Sequence, residues 1–159
     1  MPVGNVNSTE RGSGARFNDG KPDLSLIPPI MLPHREDEEH YQLLNSMQIY
    51  MFNGNPEPLW NWMDEAMANN HDLCAKVFEY GKRKYAAWNW AKGMQWSIPI
   101  ACALRHAHAL YYNREENDPE SDLPHIGHIL CNLVMLRHFR SMYPEGNDLP
   151  YKVLSNATA

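Results

Sequence analysis

The residues best equipped for chemistry lie together in Asp118-Pro119-Glu120-Ser121-Asp122-Leu123-Pro124-His125-Ile126-Gly127-His128, which holds three carboxylates, a hydroxyl and two imidazoles. Carboxylates and imidazoles are common ligands of divalent cations, and a helix N-terminus beside them favours anions. The stretch reads as the start of a helix. Ser121 or Asp122 can cap it, and Pro124 suits the first turn, where no N–H is needed. His125, His128 and Asn132 then fall at i, i+3 and i+7 along one side, beside an apolar stripe of Ile126, Ile129, Leu130, Leu133 and Leu136. The imidazoles stand at the edge of a buried face, where a metal or phosphate would be shielded from water. A capped helix with two boundary histidines and solvated acids accounts for the same residues without any ligand.

A second chemical group runs from Lys82 to Gly93, where Lys82, Arg83, Lys84 and Lys92 alternate with Tyr85, Trp88 and Trp90. Cations can hold phosphate oxygens and rings can stack on a base, so this pattern suits a nucleotide. A helix end explains the cations equally well, through the dipole, and the tryptophans as core. Asn89 between two tryptophans is left unexplained by that simpler view. Glu79 has a plain structural reading as an exposed i, i+4 partner of Arg83. His71-Asp72 reads as part of a helix cap beside Asn69-Asn70.

The elements that must position these groups are helical. Residues 1–15 are rich in Gly, Ser and Asn and are expected to form a flexible arm. A strap follows over 16–29, with turn chemistry at Asn18-Asp19-Gly20 and an extended run to Pro28-Pro29. Arg16 and Lys21 could reach an anionic ligand from it. A helix is expected from Glu38 to Phe52, with Tyr41, Leu44, Met47 and Met51 on one face. Asn53 to Pro58 breaks it. A second helical region begins near Leu59 and runs to Tyr85, interrupted at Asn69-Asn70. Ser97 caps a third helix reaching Asn113, whose core face is Ile100, Ala103, Leu104, Ala107, Leu110 and Tyr111; Arg105 and His106 lie off that stripe. The last helix stops before Tyr143-Pro144-Glu145-Gly146, and 147–159 form a tail. The expected architecture is an all-α bundle of four to five helices, one domain over 16–146.

Composition narrows the function. A net charge of −5 and a pI near 5.9 disfavour a dedicated nucleic-acid binder. Cys74, Cys102 and Cys131 sit in helical patterns and read as reduced core residues. No apolar run approaches a membrane span, and Met-Pro-Val-Gly-Asn lacks a secretory layout. A soluble, cytoplasmic protein is expected.

Several short motifs fall in a familiar order: Asn18-Asp19-Gly20-Lys21-Pro22, Glu79-Tyr80-Gly81 with Lys84-Tyr85, Asn89-Trp90 with Lys92-Gly93, Leu104-Arg105-His106, and Glu115 with Asp118-Pro119-Glu120-Ser121 through Leu123-Pro124-His125 to His128. Together they resemble a phage family, the dATP/dGTP diphosphohydrolase N-terminal domain proteins, distantly similar to all-α MazG-like nucleoside triphosphate pyrophosphohydrolases. The resemblance implies hydrolysis of purine deoxynucleoside triphosphates to monophosphate and pyrophosphate with Mg²⁺ or Mn²⁺, in the host cytoplasm if phage-encoded. It implies Glu79, Asp118, Glu120, His125 and His128 as metal ligands, His106 and Glu120 as catalytic groups, and Lys82, Lys84, Tyr85, Asn89, Trp90, Lys92 and Arg105 as substrate contacts. It also implies a homo-oligomer. The chain departs from the MazG pattern in having only Glu115-x-x-Asp118, with Lys82 where Glu79 would want a second carboxylate. Glu36-x-x-Glu39 lies in a charge run and reads as surface. Residues 31–72 look like an insertion. A depleted metal shell would leave a phage protein that binds a nucleotide or a host protein. A histidine-rich metal phosphohydrolase acting on another phosphoester is a third reading.

Overall fold

Eleven residues of one helix, His125–Met142, are buried, on nearly every side of it. Such a helix can only be central. In the computed structural model, which describes residues 2–18 and 20–158, it is the fourth of five α-helices among the described residues. These are α1 (Glu38–Asn53), α2 (Glu57–Tyr85), α3 (Ser97–Ala107), α4 (His125–Met142) and α5 (Pro150–Thr158). Both α2 and α3 pack on α4, α1 packs on α2, and α5 lies against α1. The all-α bundle is as expected. The strands β1 (Pro2–Val3) and β2 (Arg16–Phe17) add only a two-residue antiparallel ladder, with Pro2 opposite Phe17 and Val3 opposite Arg16.

The core is continuous through Leu43, Met47 and Tyr50 of α1, Leu59 and Val77 of α2, Ile100 and Leu104 of α3, and Ile129, Leu133, Leu136 and Phe139 of α4. Residues 38–53 thus supply core side chains. Gly127 lets α4 come close to α2: a Cβ there would lie 2.8 Å from the Leu73 carbonyl oxygen. The three cysteines are free and buried, and burial pushes the Cys74 thiol up to about 11.

Several boundaries differ from the sequence expectation. The second helix is continuous through Asn69-Asn70; packed on α4 it runs on, and the Asn70 Nδ2 donates to the Ala66 carbonyl within the helix instead of capping a break. The segment 24–31 is not extended; it forms short 3₁₀ turns at Leu24–Leu26 and Pro29–Met31, where proline is tolerated at the first position. Ser97 does not cap α3: its N–H and Oγ–H both donate to Asp148, the N–H at 2.9 Å. Beyond Ala107 that helix continues as a π-helical turn, His108–Tyr112. Neither Ser121 nor Asp122 caps α4, whose N-cap is Pro124. The tail contains α5. The segment expected as an arm is hydrogen-bonded to the body, Gly12 N–H to the Lys92 carbonyl and Gly14 N–H to the Gly93 carbonyl. Asp19 lies outside the described residues.

His40 of α1 is buried and stacked on Tyr111 at 5.3 Å. Burial pushes its imidazole down to about 4. The unfolded chain, with an ordinary value, takes up the proton first, so stability is full above about pH 6.5 and falls as the pH drops towards 4. At about pH 5 the loss from this one group is about 2 kcal/mol. Wild type should therefore lose more melting temperature between about pH 7.5 and about pH 5 than His40→Leu does. Equal losses would contradict the assignment.

Candidate active site

Three elements converge beside α4. α3 brings Arg105 and His106, the loop before α4 brings Glu115, Asp118 and Ser121, and the first turn of α4 brings His125 and His128. His106 Nδ1 lies 2.8 Å from His125 Nδ1, and His125 Nε2 lies 2.7 Å from Glu115 Oε1. A carboxylate only accepts, so His125 Nε2 carries a proton and gives it to Glu115. In neutral His125 the Nδ1 lone pair then accepts from His106 Nδ1–H, which leaves His106 Nε2 with a bare lone pair. The His106 ring stacks on His128 at 4.4 Å, 8° from parallel. Burial and the neighbouring His128 and His125 push His106 down to about 2, so it stays neutral.

A second chain runs through the loop. Ser121 Oγ donates to Asp118 Oδ2 at 2.9 Å, and Ser121 N–H donates to the same oxygen at 3.0 Å. The one hydroxyl proton of Ser121 is thereby used, so His128 Nε2–H donates to Ser121 Oγ at 2.7 Å. Burial, above all, pushes His128 down to about 4. Asn132 ties this region to β2: its Nδ2 donates to the His128 carbonyl, and its Oδ1 accepts from Arg16.

His106, Asp118 and His125 place potential ligand atoms within 4.8 Å of one another. The three are not equivalent. Both nitrogens of His125 are engaged, so it could bind a cation only by giving up Glu115 or His106. His106 Nε2 and Asp118 Oδ1 can serve without disturbing either chain. A neutral imidazole and a carboxylate fit a divalent cation whose remaining positions are filled by phosphate oxygens and water.

These groups open on a cavity of about 670 Å³. His106, Asp118, Glu120, His128, Glu79 and Arg105 all line it, as do Lys82, Lys84, Tyr85, Asn89 and Trp90. Glu79 lies on the face of α2 that borders this cavity. Glu120 is bridged by Lys84 at 3.2 Å and Lys21 at 3.4 Å; the hydrogen bond from Lys84 and the charge of Lys21 hold its carboxyl below the usual range. His125 is 3% exposed and stands behind His106, away from the lining. Lys92 is not brought to the cavity: its ammonium donates to the carbonyls of Asn5 and Ser8. Arg105 donates to the Pro22 carbonyl and to Asn18 Oδ1, so it also anchors the strap.

A family model described as dATP/dGTP diphosphohydrolase, N-terminal, matches residues 58–149, more than half of the chain. The chain belongs to the dATP/dGTP diphosphohydrolase N-terminal family. Comparison with curated proteins and with solved structures gives no match. The family's matched span holds Glu79, Lys84, Asn89, Arg105, His106, Asp118 and His128, while Arg16, Asn18 and Lys21 reach the cavity from outside it. The sequence assigns Glu115 only to a Glu-x-x-Asp pair and gives Ser121 no role beyond a cap. Their partnership with His125 and His128 is made by tertiary folding. Only the presence of a hydroxyl and a carboxylate near each histidine signals it in the sequence.

Among the described residues no helix is long and apolar enough to cross a membrane.

Proposed function

We propose that this protein hydrolyses dATP and dGTP to the monophosphate and pyrophosphate with Mg²⁺ or Mn²⁺. The observation that carries the reading is one cavity with three kinds of wall. Lys21, Lys84 and Arg105 offer cations, Asn89 and Trp90 offer an amide and an aromatic ring, and His106 and Asp118 offer cation ligands. The family supplies the diphosphohydrolase chemistry by name.

His106 and Asp118 would hold the cation, with Glu79 as a further carboxylate on the cavity wall. A bound divalent ion neutralises phosphate charge and makes water a better nucleophile. The chain's own residues do the rest. A nitrogen that stays neutral is a better ligand than proton acceptor, so His106 belongs to the cation's shell, and His125 with Glu115 fixes its tautomer. Lys84 and Lys21 hold the departing phosphates, and Glu120 spaces the two ammonium groups. Water oxygen bonds to the α-phosphorus while the bond from that phosphorus to the bridging oxygen breaks; pyrophosphate leaves with the electron pair, and the proton of the attacking water passes to bulk water.

Incubating the protein with each deoxynucleoside triphosphate, with Mg²⁺ or Mn²⁺ and then with EDTA, tests this. Release of pyrophosphate from the purine substrates, abolished by EDTA, is expected. Turnover unaffected by EDTA would overturn the metal assignment, and purine binding without turnover would favour a nucleotide-binding protein.

We also expect a homo-oligomer. The 3₁₀ strap exposes Leu26 and Met31 at 79% and 71%, with Ile30 between them half exposed. Light scattering at micromolar protein should give a mass above one chain, and a fully active monomer would contradict it.

A further inference from the structure

Asn89 is 5% exposed, lines the cavity, and has no hydrogen-bond partner for either Oδ1 or Nδ2 among the described residues. Burying a carboxamide with both ends unpaired is costly, and nothing in the packing of the core requires an amide at this place. The backbone that presents it is itself strained. Ala86 has φ 100° and Trp88 φ 62°, both in the region that side chains other than glycine avoid. That strain delivers Asn89 inward and leaves Trp88 73% exposed on the lining, 6.0 Å from the Trp90 ring. An amide edge and two aromatic faces at one end of a cavity are the complement of a heterocyclic base.

Resting on the nucleotide reading above, we propose that Asn89 reads the Watson–Crick edge of the purine base. One acceptor beside one donor is what a carboxamide offers. On the Watson–Crick edge, adenine presents N6–H and N1, and guanine presents O6 and N1–H. Each is one donor beside one acceptor, and a half-turn of the amide matches either. On the other edge guanine presents two acceptors, O6 and N7, so a single Asn there would serve adenine alone. A residue that must accept both purines therefore faces the Watson–Crick edge.

Asn89→Asp gives the sharpest test. A carboxylate has two acceptors, which suit N1–H and the exocyclic amine of guanine but oppose N1 of adenine. The ratio of dissociation constants for the α,β-imido analogues of dATP and dGTP, measured by calorimetry with Mg²⁺, should move towards guanine by about tenfold or more. In wild type, the 7-deaza purine analogues should bind like their parents, while N1-methylguanine should bind about tenfold or more weakly. The wild-type series keeps the test decisive if the variant does not fold. Equal weakening of both purines by the variant, or wild-type binding indifferent to N1 methylation, overturns the base-reading role alone. Failure of wild type to bind either purine overturns the nucleotide reading and this proposal with it.

Discussion

His106→Ala and Asp118→Asn should each lower pyrophosphate release from dATP or dGTP by roughly 10²–10³-fold, with the fold intact. His106 is the one imidazole of its chain with an uncommitted nitrogen, since His125 spends both of its own on Glu115 and His106. Asp118 is the carboxylate placed within reach of it. Removing either takes away charge stabilisation that the transition state needs most. Glu115→Gln should do less, about 10–100-fold, because it acts through His125 and leaves both cation ligands in place. The order of the three is the informative part. Melting curves should separate lost chemistry from lost structure, since Asp118 and Glu115 sit in the loop and contribute little to the core. Full turnover in His106→Ala or Asp118→Asn would remove the site from consideration.

Phe139→Ala should cost about 3–5 kcal/mol of stability, the largest effect expected of any single truncation in the chain. The ring is fully buried on the helix about which the bundle is built. It packs 6.1 Å from Trp90 and 6.2 Å from Tyr143. Truncation loses the transfer energy of the ring and leaves a void that α4, hemmed in by α2 and α3, cannot close. A domain of this size has a total of about 5–15 kcal/mol to lose, so the variant would lie near its folding threshold. Trp90 would also lose its backing on the cavity wall. Urea unfolding measures this, and a loss below about 1 kcal/mol would contradict the central place given to α4.

The helices were legible because their apolar stripes repeat at helical spacing. Ile100, Ala103, Leu104 and Ala107 announce α3, and Ile129, Leu130, Leu133 and Leu136 announce α4. Their ends were less legible. Ser97 carries a cap signature, yet Asp148, 51 residues away in sequence, takes its N–H. Asn69-Asn70 looks like a break, yet the packing of α2 on α4 carries the helix through it. The candidate site divides in the same way. Residue types and spacing point to Asp118, His125 and His128 as one group, and the family resemblance adds His106. They cannot say that Glu115 turns to His125 and Ser121 to His128, because those contacts depend on a loop held by Asp118 N–H on the Leu123 carbonyl and by the Asn117–Pro124 bridge. Nor could spacing reveal that His125 stands behind His106, or that Lys92 is turned away towards Asn5 and Ser8. Side-chain direction at a helix start is fixed by its neighbours in space.

The most direct test of the whole account is the product of the reaction. Phosphorus NMR of dGTP incubated with the protein and Mn²⁺ should show dGMP and pyrophosphate growing in equal amounts. Inorganic phosphate with dGDP, tripolyphosphate with deoxyguanosine, or unchanged dGTP would contradict the assignment of this cavity to cleavage between the α- and β-phosphates.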